Sequence, residues 1–307
     1  MSPLGESLED YLTIRRALGY KLETQGRMLA DFVAFADAAG ARNITTDLAL
    51  AWALLPPAAT PGWAARRLRV VQGFARYLHT IEPATEVPPA GLLAGRNHRP
   101  TPYLYSDEEV CALLSAARTL SPPLRAATVG TVIGLLAVSG LRIGEAIRLD
   151  RNDVDWTNDS LLVRDSKFGN SRLVPLHPST LDALRAYSIL RDQLCPQPLG
   201  PSFFVSTRGA RLAHATIYWP FRELLALVGL ESGSPGRWPR LHDFRHSLAV
   251  KTLVDWYRGG EDVAARMPSL STYLGHLHPA ATYWYLSAAP ELLRLASDRL
   301  EQAQARP

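Results

Sequence analysis

Two imidazoles, one guanidinium and one phenol stand close together in the last quarter of this 307-residue chain. His242 and Arg245 lie three positions apart, so a helix that starts at Asp243 would carry both on one side of its first turn. His276 follows a Leu-Gly turn, and Tyr285 comes nine positions later on a short predicted helix. Arginine binds two phosphate oxygens at once, and histidine donates a hydrogen bond or passes a proton. Because cations stabilise a phenolate, the set favours attack by tyrosine on a phosphodiester.

These motifs resemble the second half of the tyrosine site-specific recombinases, the phage integrase type, with His-x-x-Arg, then Leu-Gly-His, then Tyr nine positions on. Segment 138–145, Val-Ser-Gly-Leu-Arg-Ile-Gly-Glu, resembles an earlier arginine box of that family and contains Arg142. Segment 163–176 resembles the family's β-hairpin, with Lys167 eight positions before Pro175. All the boxes occur in the family's order over about two-thirds of the chain, which is more specific than any single motif.

The resemblance implies a metal-independent DNA strand transferase with these catalytic residues: Arg142, Lys167, His242, Arg245, His276 and Tyr285. In the family's chemistry the tyrosine attacks the scissile phosphate and forms a 3′-phosphotyrosyl bond, while the two arginines and His276 stabilise the growing charge. Lys167 protonates the leaving 5′-oxygen, and His242 assists proton transfer at the tyrosine. No metal, nucleotide or other cofactor is implied, because the protein–DNA link keeps the energy of the broken bond.

The implied partners are double-stranded DNA and further copies of the chain. Joining to a second duplex requires several protomers in one synapse, and the family's usual assembly is a tetramer on two sites. Accessory recombination proteins stay open as partners. The box at 273–279 looks similar to that of transposon-borne recombinases, which favours site-specific recombination or transposition of a mobile element.

Tyr283 competes with Tyr285 for the role of nucleophile. On a helix, side chains two positions apart point about 200° away from each other, so only one of the two faces the pocket. The nine-residue spacing from His276 in the resembled pattern selects Tyr285. Tyr283 and Trp284 are then interpreted as packing residues.

A zinc site is one alternative to this chemistry. His242 and His246 have the His-x-x-x-His spacing of a helical zinc site, and His276 or His278 would supply a third ligand. That interpretation gives no roles to Tyr285, Arg142 and Lys167. His246 is more economically interpreted as a structural hydrogen-bonding residue.

Two further alternatives keep DNA as the partner. A type IB topoisomerase would use the same tyrosine chemistry but rejoin the same strand, and the present chain departs from its lysine-hairpin context. A DNA-binding regulator that has lost catalysis is the non-enzyme alternative. Against it, every catalytic position is filled by a chemically competent residue.

Composition limits the classes of protein to which the chain can belong. The chain has 47% hydrophobic and 20% charged residues, as ordinary globular proteins do, and is long enough for two domains. A net charge of +4 and a pI near 9.2 permit nucleic-acid binding without requiring it. Cys111 and Cys195 lie far apart, which argues against disulfides or a cysteine-based zinc site. Without a signal peptide or an apolar run of about 18 residues, we expect a cytoplasmic, nucleoid-associated protein and no membrane partner.

The elements that position these residues divide into two predicted domains. Residues 1–95 are predicted to form an all-α helical bundle, which the resemblance identifies with a SAM-like core-binding domain that clamps DNA. Residues 96–102 are predicted as a linker because Pro, Ala and Gly break periodic structure around them. Residues 103–307 are predicted as a mixed α/β, mainly helical catalytic domain with a small β-sheet.

Some local expectations follow from turn and cap residues. The first helix is expected to begin at Ser7, whose segment resembles a capping box. Strands are expected on both sides of the hairpin tip, with one more short strand at 202–205. Glu145 is interpreted as a structural support for the arginine turn. The C-terminal helix, about 290–303, either packs on its own domain or docks on a neighbouring subunit.

Arginines mark one face of the fourth predicted helix, residues 61–79. At about 100° per residue the apolar side chains gather on one face, and Arg66, Arg69 and Arg76 gather on nearly the opposite one. Together with Arg99 in the linker they are predicted to contact DNA phosphates. A solvated helix face is the alternative interpretation.

Overall fold

The computed structural model describes residues 2–55, 60–94, 101–164, 171–230, 238–276, 278, 280–287 and 290–304. The chain divides into two compact units, residues 1–100 and 101–307. Lys167, Arg99 and most of the predicted linker lie outside the described residues. No helix in the described ranges combines the length and the apolar character needed to cross a membrane.

The first unit contains four described helices: α1 Pro3–Ala17, α2 Glu23–Ala38, α3 Thr46–Leu54 and α4 Pro61–His79. Their core is built on large side chains such as Phe32 and Trp52, whose rings meet edge to face at 5.3 Å. The expected start of the first helix at Ser7 is wrong. Ser2 caps the helix instead, because its hydroxyl accepts from the Gly5 N–H at 3.1 Å and Pro3 suits the first helical position.

The second unit is mainly helical with one small sheet, which confirms the predicted fold class. Its first half contains α5 Asp107–Ala117, α6 Pro123–Ser139, α7 Ile143–Ala146, β1 Val154–Asp155, β2 Ser160–Val163, β3 Arg172–Pro175 and α8 Pro178–Leu194. Its second half contains α9 His214–Leu227, α10 Asp243–Arg258, α11 Val263–Leu274, α12 Ala280–Tyr283, a 3₁₀ turn Trp284–Ser287 and α13 Pro290–Gln304. One apolar core joins the helices of the first half to α9, and another joins α10, α11 and α13.

The three strands form one antiparallel sheet in the order β1-β2-β3. The register pairs Leu161 with Val174 and Val163 with Arg172. Side chains alternate across a strand, so Arg172 shares the inward face of β3 with buried Val174. The strand expected at 202–205 is wrong, because only the isolated bridges of Ser202 and Val205 occur among the described residues there.

Helix α11 is an element that the sequence patterns do not predict. Pro268 stands inside it, and a proline removes one helical N–H donor and usually breaks the pattern. The helix persists because Met267 and Leu270 are buried in the core shared with α10 and α13. Asp262 caps it by accepting from the Ala265 N–H at 3.0 Å. The end of this helix positions the site described below.

Candidate active site

The turn between α6 and α7 holds the first predicted site arginine. Gly140 ends α6 with φ of 60°, a left-handed conformation that glycine adopts easily, and a Cβ there would lie 2.9 Å from Leu248. The Gly140 carbonyl accepts a hydrogen bond from Arg245 Nη1 at 2.8 Å. Arg142 follows as the residue before α7 and is half-buried. The glycine turn therefore brings two predicted site arginines to one place.

Glu145 anchors two arginines through one buried carboxylate, only 3% exposed. It accepts from Arg142 Nη1 at 2.7 Å and from the Arg142 backbone N–H at 2.9 Å. The Arg172 guanidinium binds it with both Nη atoms, at 3.1 and 3.0 Å. Burial alone would raise the pKa of Glu145, but the hydrogen bonds and charges of Arg172 and Arg142 lower it to about 2. Glu145 thus has the supporting position expected from the sequence.

The carboxyl end of α11 gathers three arginines. The last carbonyl groups of a helix lack intrahelical donors and carry partial negative charge, so they attract cations. Each carbonyl of this turn accepts from a different arginine: Tyr273 from Arg172 Nε at 2.9 Å, Leu274 from Arg245 Nη2, and Gly275 from Arg142 Nη2 at 3.1 Å. The turn itself is closed by Gly275 at φ of 65° and by the His276 N–H, which donates to Ser271 at 2.9 Å.

Arg245 is buried, with 1% of its surface exposed. Burial, assisted by the positive charge of Arg142, lowers the pKa of Arg245 to about 10, while the nearby Tyr285 opposes the shift. This opposition means that a negative charge on the Tyr285 oxygen and the positive charge of Arg245 stabilise each other. Helix α10 is held in place by Asp243, which accepts from the Arg240 N–H at 2.8 Å.

The two candidate tyrosines have opposite environments. Tyr285 is 1% exposed, whereas Tyr283 is 48% exposed. The Tyr285 ring stacks on His276 with centroids 6.1 Å apart, and its hydroxyl lies 3.2 Å from His246 Nδ1. The structure thus brings Tyr285, and not Tyr283, to the arginines. Its role as the nucleophile stays a prediction.

The two predicted site histidines differ in their surroundings. His276 is half-buried, and its Nδ1 lies 2.7 Å from the hydroxyl of buried Thr282 in α12. This bond ties the turn after α11 to the segment that carries Tyr285. His242 is exposed and directly precedes α10, and its ring meets the His246 ring edge to face at 4.7 Å. His276 therefore lies with the arginines and Tyr285, while His242 lies beside His246.

Sequence reasoning missed two residues of this arrangement. Arg172 lies in the segment that resembles the hairpin, and no motif singles it out, although its two-residue spacing from apolar Val174 is a signal for an inward side chain. His246 is a hydrogen-bonding residue, as expected, but the sequence does not identify its partner, the Tyr285 hydroxyl. The spacing of His246 and Tyr285 in the chain, 39 positions, gives no signal of this contact.

No group of three or more potential metal ligands occurs among the residues for which side chains are described. His242 and His246 do approach each other, as the zinc interpretation requires of its first two ligands. A third ligand does not join them within that part of the chain.

The predicted DNA-contacting face of α4 is exposed in the first unit. Arg66, Arg69 and Arg76 are exposed, as the helical pattern predicts. Arg67 between them is buried, with its guanidinium 3.7 Å from the Trp52 ring centroid and donating to the Trp52 carbonyl at 2.9 Å. The α4 arginines therefore divide into one structural residue and three that are available to a partner.

Comparisons with known proteins identify the family of this chain. The model of the phage integrase family matches residues 104–291. The protein named "Putative integrase/recombinase y4rB" of Sinorhizobium fredii (strain NBRC 101917 / NGR234) is 46% identical, over 98% of each chain. Tyrosine recombinase XerD of Mycobacterium tuberculosis is 31% identical, over 75% of this chain and 71% of its own. The Tn1549 transposon integrase, solved with transposon right-end DNA, has a TM-score of 0.69 at 14% identity, over 99% of this chain and 100% of its own.

The Glu145 cluster generates a prediction about stability. Glu145→Gln should lower the free energy of unfolding at neutral pH by about 3 kcal/mol, because two partly buried guanidinium groups lose their counter-charge. Urea unfolding followed by circular dichroism measures the change. Asp182→Asn is the matched control, since Asp182 pairs with Arg185 at the surface and should contribute less than about 1 kcal/mol. Equal stabilities of the two variants would contradict the prediction.

The same carboxylate predicts a pH dependence. Its pKa lies at about 2 in the folded chain, below that of an unfolded glutamate, so its contribution is present above about pH 4.3. It is lost as the pH falls towards about 2. The stability difference between wild type and Glu145→Gln should therefore shrink between about pH 5 and about pH 3 in urea unfolding. A difference that is constant over this range would argue against a lowered pKa.

Proposed function

Since the chain belongs to the phage integrase family of tyrosine recombinases, which cut and rejoin DNA strands, we propose that it recombines or transposes a mobile element through a 3′-phosphotyrosyl intermediate. One observation carries the proposal. Arg142, Arg245, His276 and Tyr285 come together around the carboxyl end of α11, although they derive from distant parts of the sequence. This is the arrangement that attack of a tyrosine on a phosphodiester requires.

The arginine cluster supplies the electrostatics of the first step. Three guanidinium groups, those of Arg142, Arg172 and Arg245, face the single carboxylate of Glu145, so the cluster keeps an excess of positive charge. A scissile phosphate brought to this cluster would be attracted, and the charge that grows on its non-bridging oxygens would be stabilised. A negative charge on the Tyr285 oxygen and the positive charge of Arg245 also stabilise each other.

The reaction then proceeds in two transfers. The Tyr285 oxygen forms a bond to phosphorus while the bond from phosphorus to the 5′-oxygen breaks, and the freed 5′-oxygen takes a proton from Lys167. His242 assists proton transfer at the tyrosine, as the resemblance implies. Attack by a 5′-hydroxyl on the phosphotyrosyl bond then releases the enzyme and reseals a strand, so that neither a metal ion nor a nucleotide is consumed.

Exchange between two duplexes requires several protomers. Four strand ends are cut and rejoined when two sites recombine, and each cut occupies one tyrosine, so we propose a tetramer on two DNA sites. Transposition as the biological role is supported by the likeness to the Tn1549 transposon integrase. Because its substrate is DNA, we place the enzyme in the cytoplasm, at the nucleoid. Accessory recombination proteins are included among its proposed partners.

The first unit is proposed to clamp DNA. The exposed arginines Arg66, Arg69 and Arg76 lie on the solvent side of α4, opposite its apolar core face. Arginines bind phosphates without reading sequence, so such a face adds affinity and orientation. Arg99 is proposed to contribute from the linker.

The assignment of the nucleophile predicts a covalent adduct. A nicked suicide duplex, built from the DNA that borders the gene for this chain, should yield a denaturant-stable protein–DNA adduct in EDTA. Tyr285→Phe should abolish the adduct, because no other oxygen occupies the same position, and Tyr283→Phe should retain it. Gel electrophoresis under denaturing conditions measures both. An adduct lost with Tyr283→Phe would reverse the assignment, and the absence of an adduct on DNA that the wild type binds would favour a regulator.

The α4 face predicts a change in the salt dependence of DNA binding. Changing Arg66, Arg69 and Arg76 together to Gln should weaken binding to all sequences and lower the slope of log affinity against log salt by about three. Fluorescence anisotropy at several salt concentrations measures the slope. Arg185→Gln is the matched control, because its guanidinium is already paired with Asp182. An unchanged slope in the triple variant would support the interpretation of a merely solvated face.

A further inference from the structure

We propose that His246 is a further catalytic residue, whose Nδ1 takes the proton from the Tyr285 hydroxyl as that oxygen attacks the phosphate. The inference rests on the proposed function, since it assigns a role within the same site. The resemblance gave this proton transfer to His242, and the contacts of the tyrosine lead to a different imidazole. His246 lies one helical turn after His242 on α10.

The geometry of the pair fits a proton transfer. His246 Nδ1 lies 3.2 Å from the Tyr285 hydroxyl oxygen, at the limit of direct transfer to a general base. The two rings meet at 60° with centroids 5.4 Å apart, so the imidazole presents its edge to the phenol. Both side chains are buried, and Trp284 packs edge to face on the same imidazole at 5.4 Å. Packing on several sides therefore fixes the nitrogen near the oxygen.

His242 is less suited to act on the tyrosine directly. Its side chain is exposed at the start of α10, and its ring contacts His246 at 4.7 Å. His246 contacts both His242 and Tyr285. His246 is therefore the first acceptor of the tyrosine proton, and His242 assists from the exposed side.

Several charged or titratable groups surround the His246–Tyr285 pair. The groups that face His246 or Tyr285 are Arg245 on α10, His242 directly before α10, and His276 stacked on the tyrosine. The positive charge of Arg245 and a negative charge on the Tyr285 oxygen stabilise each other. A neutral imidazole is the form that accepts a proton.

The step balances in both directions. On attack, the O–H bond of Tyr285 breaks and an N–H bond forms at His246 Nδ1, while the phenolic oxygen bonds to phosphorus. The 5′-oxygen leaves with a proton from Lys167. On resealing, the 5′-hydroxyl returns a proton to Lys167, the bond from phosphorus to the phenolic oxygen breaks, and His246 returns its proton to that oxygen.

Two substitutions of His246 distinguish a role as hydrogen-bond acceptor for Tyr285 from a role as acceptor of its proton. His246→Asn places an amide oxygen near the position of Nδ1 and keeps a hydrogen-bond acceptor, but an amide does not take up a proton. His246→Phe removes the acceptor. We expect both variants to bind DNA as the wild type does and to form the adduct on the nicked duplex about 100-fold more slowly at neutral pH.

The pH profile of single-turnover adduct formation gives the decisive readout. The wild-type rate should level off above the range in which imidazoles titrate, since His246 is then a ready acceptor. The rate of His246→Asn should keep rising about tenfold per pH unit towards the pKa of a phenol near 10, because hydroxide must then remove the proton. A merely structural role would lower the whole profile without changing its shape.

Controls make each outcome informative. His177→Asn, which removes an imidazole but keeps a capping residue at the start of α8, should match the wild type. If His246→Asn reacts at the wild-type rate with the wild-type profile, His246 only holds the hydroxyl and the proposal is overturned. If neither His246 variant folds, the wild-type profile decides, and a rate that does not decline below neutral pH overturns the proposal. A wild type that binds DNA but forms no adduct overturns the proposed function itself.

Discussion

The carboxyl end of α11 is the constraint on which the site depends, because three arginines meet at its last three carbonyl groups. These arginines come from the turn before α7, from β3 and from α10. Burying guanidinium groups is costly unless hydrogen bonds and opposite charge offset the loss of water. The helix end supplies carbonyl dipoles and Glu145 supplies the one carboxylate, so the four segments hold each other in place. The site is therefore organised before a phosphate arrives.

The same organisation keeps Tyr285 and Arg245 away from water. Tyr285 and Arg245 are each only 1% exposed, and the tyrosine belongs to the apolar core shared by α10, α11 and α13. Burial strengthens each electrostatic interaction in the cluster and also prevents water from competing with a strand end. Access to the tyrosine and the chemistry of the tyrosine are thus controlled by the same contacts.

Sequence patterns predicted much of this structure because helix formation depends largely on residues that are close in the chain. The apolar face of the fourth helix predicted residues 61–79 as a helix, with the observed bounds. The family motifs named Arg142, Arg245, His276 and Tyr285, which converge at the end of α11. His242 lies beside His246 instead, and Lys167 lies outside the described ranges. Contacts between distant elements were not predictable in the same way. The inward side chain of Arg172 depends on strand register, and the contact of His246 with Tyr285 depends on how the 3₁₀ turn packs on α10.

The Leu-Gly-His motif suggests chemistry through its histidine, but its leucine and glycine are required for packing. Gly275 has a left-handed φ of 65°, and a Cβ at this position would lie 2.7 Å from Arg172 Nη1. Both the backbone and the neighbouring guanidinium therefore require a residue without a side chain. Leu274 is fully buried and fixes the end of the helix, so the next residue after the glycine, His276, is turned towards the tyrosine. The first two residues of the motif therefore set the position of His276 by packing.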